Sequence, residues 1–395
     1  MGSRYRDLGI DPNKGIVRQI FSKMIDNEFP GAFVNIARSR IYPGLVETKH
    51  PDGDGSKFIQ RILDFLENGD EKVFRGAVDD ALSMNTGDIA ASGFVFGPWT
   101  LTQVININGK IFGEDGIFKK MVMEQIAIRL LELLRIYEDH GFDIRFLGGE
   151  TADVPDQVQS IVYDMDIHAV ASEVDLIKGN TEVGDKIFGF ASDGQAVWET
   201  EENSGIMSNG LTQLRTDLMH KSYGNNHPYL CRDGGEFKGR FRANDFPPEL
   251  NMSVSQAIMS PTRQWAIVIR KIIEKMKGKN ILSDLHGISM NTGGGATKIA
   301  HVGHGITYVK EMPTPPGIFQ LIQVESSEKW KYMFETFNCG VGIDIVAKET
   351  PELLLILKQV EYETGIKHYR LGYCKSGPEE NDIILETQYG TFDDY

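Results

Sequence analysis

Four short stretches of the chain set glycines against charged or hydroxyl side chains: HPDGDGSK (His50 to Lys57), GGETADVPD (Gly148 to Asp156), SGIMSNG (Ser204 to Gly210) and NTGGGATK (Asn291 to Lys298). Glycine lets backbone amides approach a phosphate oxygen closely and donate to it. A lysine such as Lys57 adds a point charge. Carboxylates such as Asp52, Asp54, Asp88 and Glu150 are the hard oxygen ligands that magnesium takes. Together these groups suit magnesium-nucleotide chemistry. None of the stretches is a Walker A loop. GNTEVGDK comes near, but Lys186 is displaced by one position and no Ser or Thr follows it. No G-x-G-x-x-G lies between a strand and a helix. One such stretch alone reads as a turn; four with clustered charge favour a ligand.

Other candidates have simpler readings. Asp164, Asp166 and His168 alternate along one strand and share a face, which reads as a solvated face before it reads as a metal triad, since metal sites draw ligands from several elements. His50 and His286 each flank a glycine-bearing turn and read as structural hydrogen-bonders, with general base as the functional alternative. Asp80, Met84 and Asp88 share a face if their helix continues past Thr86 and Gly87. Glu199, Glu201 and Glu202 read as a solvated face. Cys339, between a helix and a strand, reads as a small buried residue.

The elements that must position these groups alternate between helical and extended patterns. Helices are expected at Gly15–Phe29, Phe58–Leu66, Lys72–Met84, Thr262–Met276, Glu328–Phe337 and Pro351–Gly365. The clearest helix is Lys119–His140, where Met121, Ile128, Leu131 and Leu134 recur at helical spacing and Gly141 follows as a stop. Strands are expected at Leu45–Lys49, Val95–Ile107, Ser160–Val170, Ile187–Ala191, Gly342–Ala347 and Ile383–Gln388. His220 to Asn251 is polar and rich in Gly, Asn and Pro, and reads as an insertion or functional loop. Mixed strands and helices in both halves give an α/β or α+β class, with two domains, 1–182 and 183–395.

Composition narrows the function. The 395 residues exceed one ordinary core. A net charge of -15 disfavours nucleic acid, whose phosphates need Lys and Arg. No apolar run is long enough to span a membrane, and Met1 to Asp11 lacks the apolar core of a secretory signal. Three scattered cysteines, none in a CxxC pair, suit a reducing cytoplasm and make a thiolate zinc site improbable.

Taken in order, the motifs resemble the aminoimidazole ribonucleotide synthetase family, the phosphoribosylformylglycinamidine cyclo-ligases, in a longer subgroup. The matching stretches are YRDLGID (Tyr5 to Asp11), DGDGSK (Asp52 to Lys57), DDALSMNTGDIAASG (Asp79 to Gly93), GGETADVP, SNGLTQLR (Ser208 to Arg215), SPTRQW (Ser260 to Trp265), TGGGATK (Thr292 to Lys298) and FETFNCGVGI (Phe334 to Ile343). Singly they are modest; jointly they cover nearly the whole chain. The resemblance implies a two-domain fold of mixed α/β domains, the N-terminal one binding ATP and magnesium, in a homodimer. It implies ATP-dependent ring closure of formylglycinamidine ribonucleotide to aminoimidazole ribonucleotide. Carried over by position, it makes Asp52, Asp88 and Glu150 magnesium ligands, with Lys57, Asp88 and Glu150 catalytic. Asp52, Gly53, Gly55, Ser56, Lys57, Gly148, Gly149 and Thr151 then hold the nucleotide, with Lys57 facing phosphate rather than core. Ser208, Asn209, Gly293 and Gly294 hold substrate. Three residues depart from the pattern: Gly87 stands for Asn or Asp, and Met207 and Met290 each stand for His. They keep open a sibling ATP-using enzyme, such as a small-molecule kinase, or a nucleotide-binding paralogue without turnover.

Overall fold

A computed structural model describes residues 7–8, 20–111, 116–231 and 237–395. YRDLGID, apart from residues 7–8, and the first part of the Gly15–Phe29 helix lie outside the described residues. From Ile25 to Phe29 the chain is not helical.

Two mixed sheets organise the rest. The first is built from β1 (Ala37–Arg38), β2 (Leu45–Gly53), β3 (Trp99–Ile107), β4 (Ile144–Asp153) and β5 (Ile161–Ser172), in the order β1-β2-β5-β3-β4. β3 and β4 run parallel; the other neighbours are antiparallel. The helices of this half are α1 (Lys57–Asn68), α2 (Gly76–Ala91) and α3 (Ile117–Asp139). The second half contributes β6 (Lys186–Ala191), β7 (Asp193–Gly194), β8 (Asn203–Ser204), β9 (Leu285–Met290), β10 (Ile306–Glu311), β11 (Val341–Ala347), β12 (His368–Ser376), β13 (Asp382–Thr387) and β14 (Gly390–Phe392). Its large sheet runs β14-β13-β10-β12-β6-β11-β9. Its helices are α4 (Leu211–Leu218), α5 (Lys221–Asn226), α6 (Val254–Met259), α7 (Trp265–Gly278), α8 (Gly317–Ser326), α9 (Trp330–Thr336) and α10 (Pro351–Thr364). The mixed α/β class expected from the pattern is the one observed. The polar 220–251 stretch is not a bare loop: it holds α5, and Met219 and His220 bridge to Phe241 and Gly239.

α3 illustrates a shift of register. Its buried stripe is Phe118, Val122, Ile126, Leu130, Leu133 and Tyr137, spaced three or four apart. Ile128 and Leu131 of the expected stripe are exposed. Apolar residues recur at helical spacing on both sides of this helix, so periodicity alone does not choose the inner one. Gly141 ends the helix with φ +85°.

α2 is the spine. It packs on β2 and β5 below, on α3 beside it, and on α7 and β9 of the second half. Every residue from Ala77 to Ala91 is buried. A helix enclosed on all sides need not be amphipathic, and it runs unbroken through Thr86 and Gly87. Thr86 Oγ1 donates to the Leu82 carbonyl at 2.8 Å. Gly87 is where β9 meets the helix: a Cβ there would lie 2.2 Å from Met290 Sδ. Two departures from the family pattern, Gly87 and Met290, are thus one contact. Met290 is fully buried. Gly87→Asn is expected to destabilise the fold by about 1–3 kcal/mol through overpacking. Met290→Ala in the same chain should recover most of that loss, which a double-mutant cycle in chemical denaturation checks.

Candidate active site

β2 runs four residues beyond its expected end and delivers the HPDG segment to the N-terminus of α1. Asp52 Oδ1 accepts from the Gly53 amide at 2.8 Å, and the Asp52 carbonyl accepts from Asn85 Nδ2 at 2.9 Å. Gly53 is required: a Cβ would lie 1.9 Å from Asp164 Oδ1. Gly55 turns the chain with φ +63° and faces open space. Ser56 Oγ lies 3.0 Å from Thr212 Oγ1 of α4, and its carbonyl accepts from Arg215 Nη1 at 2.8 Å. Asp88, on α2, places Oδ2 3.3 Å from His50 Nε2, while its buried Oδ1 has no partner. Burial works against a charged His50, but Asp88 outweighs it and raises the imidazole pKa.

Lys57 does not face an open phosphate site. It is fully buried, donating to Asp80 Oδ1 at 2.9 Å and to the Ser260 carbonyl at 2.7 Å. Asp80, which the sequence marks only as sharing a helix face with Met84 and Asp88, is the hub. Its Oδ1 also accepts from the Thr262 amide and hydroxyl, each at 2.7 Å, and from Ser208 Oγ at 3.0 Å. Its Oδ2 accepts from Arg61, which also reaches Asp54. Burial pushes the Asp80 pKa up, but Lys57, Arg61 and the Thr262 donors outweigh it and hold the carboxyl ionised. The signal was present in the sequence: Asp80 lies two helical turns before Asp88 in a helix with no polar face.

One second-half loop reaches the same place, and the turn at Phe337 links it to the other. Ser208 reaches Asp80, and Asn209 leads into α4, which meets Ser56. Gly294 turns with φ +100° beside exposed Gly293. A turn at 337–342 holds both loops. Gly210 abuts the Phe337 ring, where a Cβ would lie 2.2 Å away, and Gly295 abuts the Phe337 backbone. Asn338 Nδ2 donates to Ser192 Oγ at 2.7 Å and to the Gly205 carbonyl at 3.1 Å. Cys339 is a small buried residue, as expected, with φ +47° in the left-handed region.

Glu150 does not join this group. GGETAD is not a junction but the body of the edge strand β4. Asp52 pairs laterally with buried Met165 on the helix side of the sheet. Glu150 pairs with exposed Val104, and Val104 with Asp164, on the open side. Asp52 and Glu150 therefore leave opposite faces, three strands or about 14 Å apart. Glu150 Oε1 accepts from the Thr151 amide at 2.9 Å. Gly148 turns with φ +92° at the β3–β4 bulge, and Gly149 is pressed against the Gln103 carbonyl, 1.9 Å from where its Cβ would be. The three-carboxylate magnesium set of Asp52, Asp88 and Glu150 does not fit one ion within this chain. Among the described residues no group of three or more His, Cys, Asp or Glu side chains is arranged to hold a metal.

No family model matches the chain. It is 26% identical over 396 residues to the phosphoribosylformylglycinamidine cyclo-ligase of Methanococcus vannielii, covering 98% of this chain and 94% of that one. It is 25% identical over 353 residues to the enzyme of that name from Methanocaldococcus jannaschii, covering 87% and 85%. By sequence the chain is a relative of the phosphoribosylformylglycinamidine cyclo-ligases. The hydrogenase maturation protein HypE in complex with ATP superposes with a TM-score of 0.51 at 13% identity, covering 98% of this chain and 94% of that one. AaThiL complexed with AMPPCP and TMP gives 0.51 at 11% identity and covers both chains fully. At these identities the structural likeness speaks for fold alone, a mixed α/β fold shared along nearly the whole length of both chains.

Two consequences can be measured. Lys57→Met leaves Asp80 short of a buried cation, and breaking such a pair costs about 3–5 kcal/mol; an unchanged denaturation midpoint would remove the pair from the core. His286 is a structural partner rather than an exposed base: Nδ1 sits 2.7 Å from Asp185 Oδ2. That bond raises its pKa, with burial opposing. A raised histidine pKa stabilises below the unfolded value, and the gain is lost as pH rises through the folded value. His286→Gln should therefore lower the melting temperature more at pH 6 than at pH 9.

Proposed function

We propose that the protein is an ATP-dependent cyclo-ligase that closes the imidazole ring of aminoimidazole ribonucleotide from formylglycinamidine ribonucleotide. The observation that carries this reading is similarity to cyclo-ligases along nearly the full length of both chains. The geometry supports it at the DGDGSK turn, where α4 of the other half meets Ser56 through Thr212 and Arg215 beside a glycine that faces open space. In this reading ATP phosphorylates the formyl amide oxygen and ADP leaves. The neighbouring nitrogen then attacks the activated carbon, a proton is lost, and phosphate departs with the oxygen. An amide oxygen leaves poorly and a phosphorylated one leaves well, so the protein's work is positioning and charge stabilisation.

The roles divide as follows. Asp52, Gly53, Gly55 and Ser56 shape the nucleotide turn in the 1–182 domain. Ser208, Asn209, Gly293 and Gly294 of the 183–395 domain meet substrate. Asp88 orients His50 beside that turn. Lys57 is a positioning residue: through Asp80 it fixes Ser208 and Thr262. Magnesium enters only as the companion of the ATP phosphates, and no step is assigned to it. We further propose a homodimer in the cytoplasm. The open face of the first sheet carries exposed Val104 and Val162, and its edge strand β4 exposes Phe146 and Leu147, which suits coverage by a second copy. The three cysteines are buried, and among the described residues no helix is long and apolar enough to cross a membrane.

A second reading rests on one observation. Met290 and Gly87 fill with a thioether contact a place where the cyclo-ligase pattern has polar side chains, which favours a sibling ATP-using enzyme or a non-catalytic paralogue. The deciding assay follows ADP and the aminoimidazole product together, with ATP, magnesium and formylglycinamidine ribonucleotide supplied. One-for-one appearance is the expected outcome. ADP without product, or neither from a folded protein that binds ATP, moves the assignment to the second reading.

A further inference from the structure

Among the described residues, the buried cations of the Asp80 cluster and its neighbours come with carboxylates. Lys57 pairs with Asp80, Arg61 with Asp54 and Asp80, and Arg263 with Glu199. Arg215, on α4, is only 4% exposed, and among the described residues no carboxylate lies within ion-pair distance of it. Its Nη1 is spent on the Ser56 carbonyl, and its Nε is buried without a partner. A buried charge with no carboxylate paired to it is costly; burial pushes this guanidinium down to about 10, with the Cys231 thiol opposing. Such a charge is retained where an anion answers it.

The surroundings are donors. Thr212 and Arg215 are three apart and leave α4 on the same side, toward Ser56. Asn209, in the loop entering the helix, has a buried Nδ2 with no partner. Gly55, one residue before Ser56, faces open space, so backbone there is approachable. A guanidinium fork, a carboxamide donor, hydroxyls and a glycine turn together match a tetrahedral oxyanion better than a planar carboxylate.

We propose that Arg215, with Asn209 and the Gly53–Ser56 turn, forms a recognition site for a phosphate monoester at the seam between the two halves. The inference rests on the reading that these turns hold phosphorylated ligands. It adds the residue that supplies the charge. The phosphate belongs either to a nucleotide or to a phosphorylated sugar, and the chemistry is the same for both.

The test is calorimetric titration of the full chain with inorganic phosphate, then with ribose 5-phosphate and with ADP, supported by melting temperatures. Loss of a charged hydrogen-bonding partner should weaken phosphate binding about 10- to 100-fold in Arg215→Gln. Arg215→Lys should keep part of the affinity, and Arg240→Gln, a surface control, all of it. Without phosphate, Arg215→Gln should melt no lower than the wild type, since it removes an unanswered buried charge. Where Arg215→Gln does not fold, Asn209→Asp takes its place: a negative charge in that loop should abolish the phosphate-induced rise in melting temperature. A larger Arg215 effect on ribose 5-phosphate than on ADP assigns the site to the sugar phosphate, and the reverse assigns it to the nucleotide. Wild-type phosphate affinity in Arg215→Gln, or no phosphate binding by the wild type, overturns the proposal. Binding needs no turnover, so Arg215-dependent phosphate affinity without aminoimidazole product would retain the site and reject the cyclo-ligase. Product formation by Arg215→Gln with unchanged KM for both substrates would do the opposite.

Discussion

The fold around the candidate site depends on one carboxylate. Asp80 is fully buried and gathers Lys57 and Arg61 from α1, Ser208 from the loop before α4, and Thr262 from the segment before α7. Two buried cations around one carboxylate would leave an excess of charge. Asp54 shares Arg61 and moderates it, although burial raises the Asp54 pKa to about 7. Desolvating so many charges is expensive, and hydrophobic side chains of similar volume would stabilise the core at least as well. What the cluster provides is direction. Each donor has fixed partner atoms it must reach, so α1, α2 and two second-half loops have one relative placement. Apolar packing alone tolerates sliding and does not specify that.

α2 carries this constraint to the rest of the site. Asp80 and Asp88 are two turns apart on a helix buried on every side. Fixing one fixes the other, and with Asp88 the His50 ring of β2. The helix meets the second sheet at Gly87, where the missing Cβ admits Met290. The chain directly after Met290 is the TGGGATK loop. At Gly87 and Met290 the junction between helix and sheet is a steric one, and the loop beyond is placed by shape at that point.

Local features of this arrangement were legible in the sequence. Glycines at 53, 55, 210 and 294 stand where a positive φ disfavours a side chain or a close approach excludes one, and that requirement leaves a mark on the chain itself. Helix and strand types followed from periodicity. What periodicity cannot give is partnership. Lys57 lies in a phosphate-like motif, but Asp80, in another segment, claims it. Glu150 shares its motif with two glycines, yet sheet order places it across three strands and on the opposite face from Asp52. The stripe of α3 was misplaced because both sides of that helix carry apolar residues and the burying partner is distant in sequence. Arg215 is visible in the sequence only as the last residue of SNGLTQLR; that no carboxylate among the described residues pairs with it is a fact of three dimensions.

The two second-half loops are held by the same turn, and this bears on how the site works. Phe337 supports Gly210 with its ring and Gly295 with its backbone, while Asn338 ties the Gly205 carbonyl to Ser192 at the end of β6. Cys339 follows in a left-handed conformation that costs about 1 kcal/mol in a residue other than glycine. Strain of that size persists where surrounding contacts over-determine the backbone, and here they do: Asn291 donates to the Val341 carbonyl, and its amide to that of Gly342. The Ser208 and Gly293 loops therefore cannot shift independently. A ligand bound between them meets walls already fixed to each other and, through Ser208 and Asp80, to α2. Little ordering is left for binding to accomplish, and its free energy is available for orienting the reacting groups.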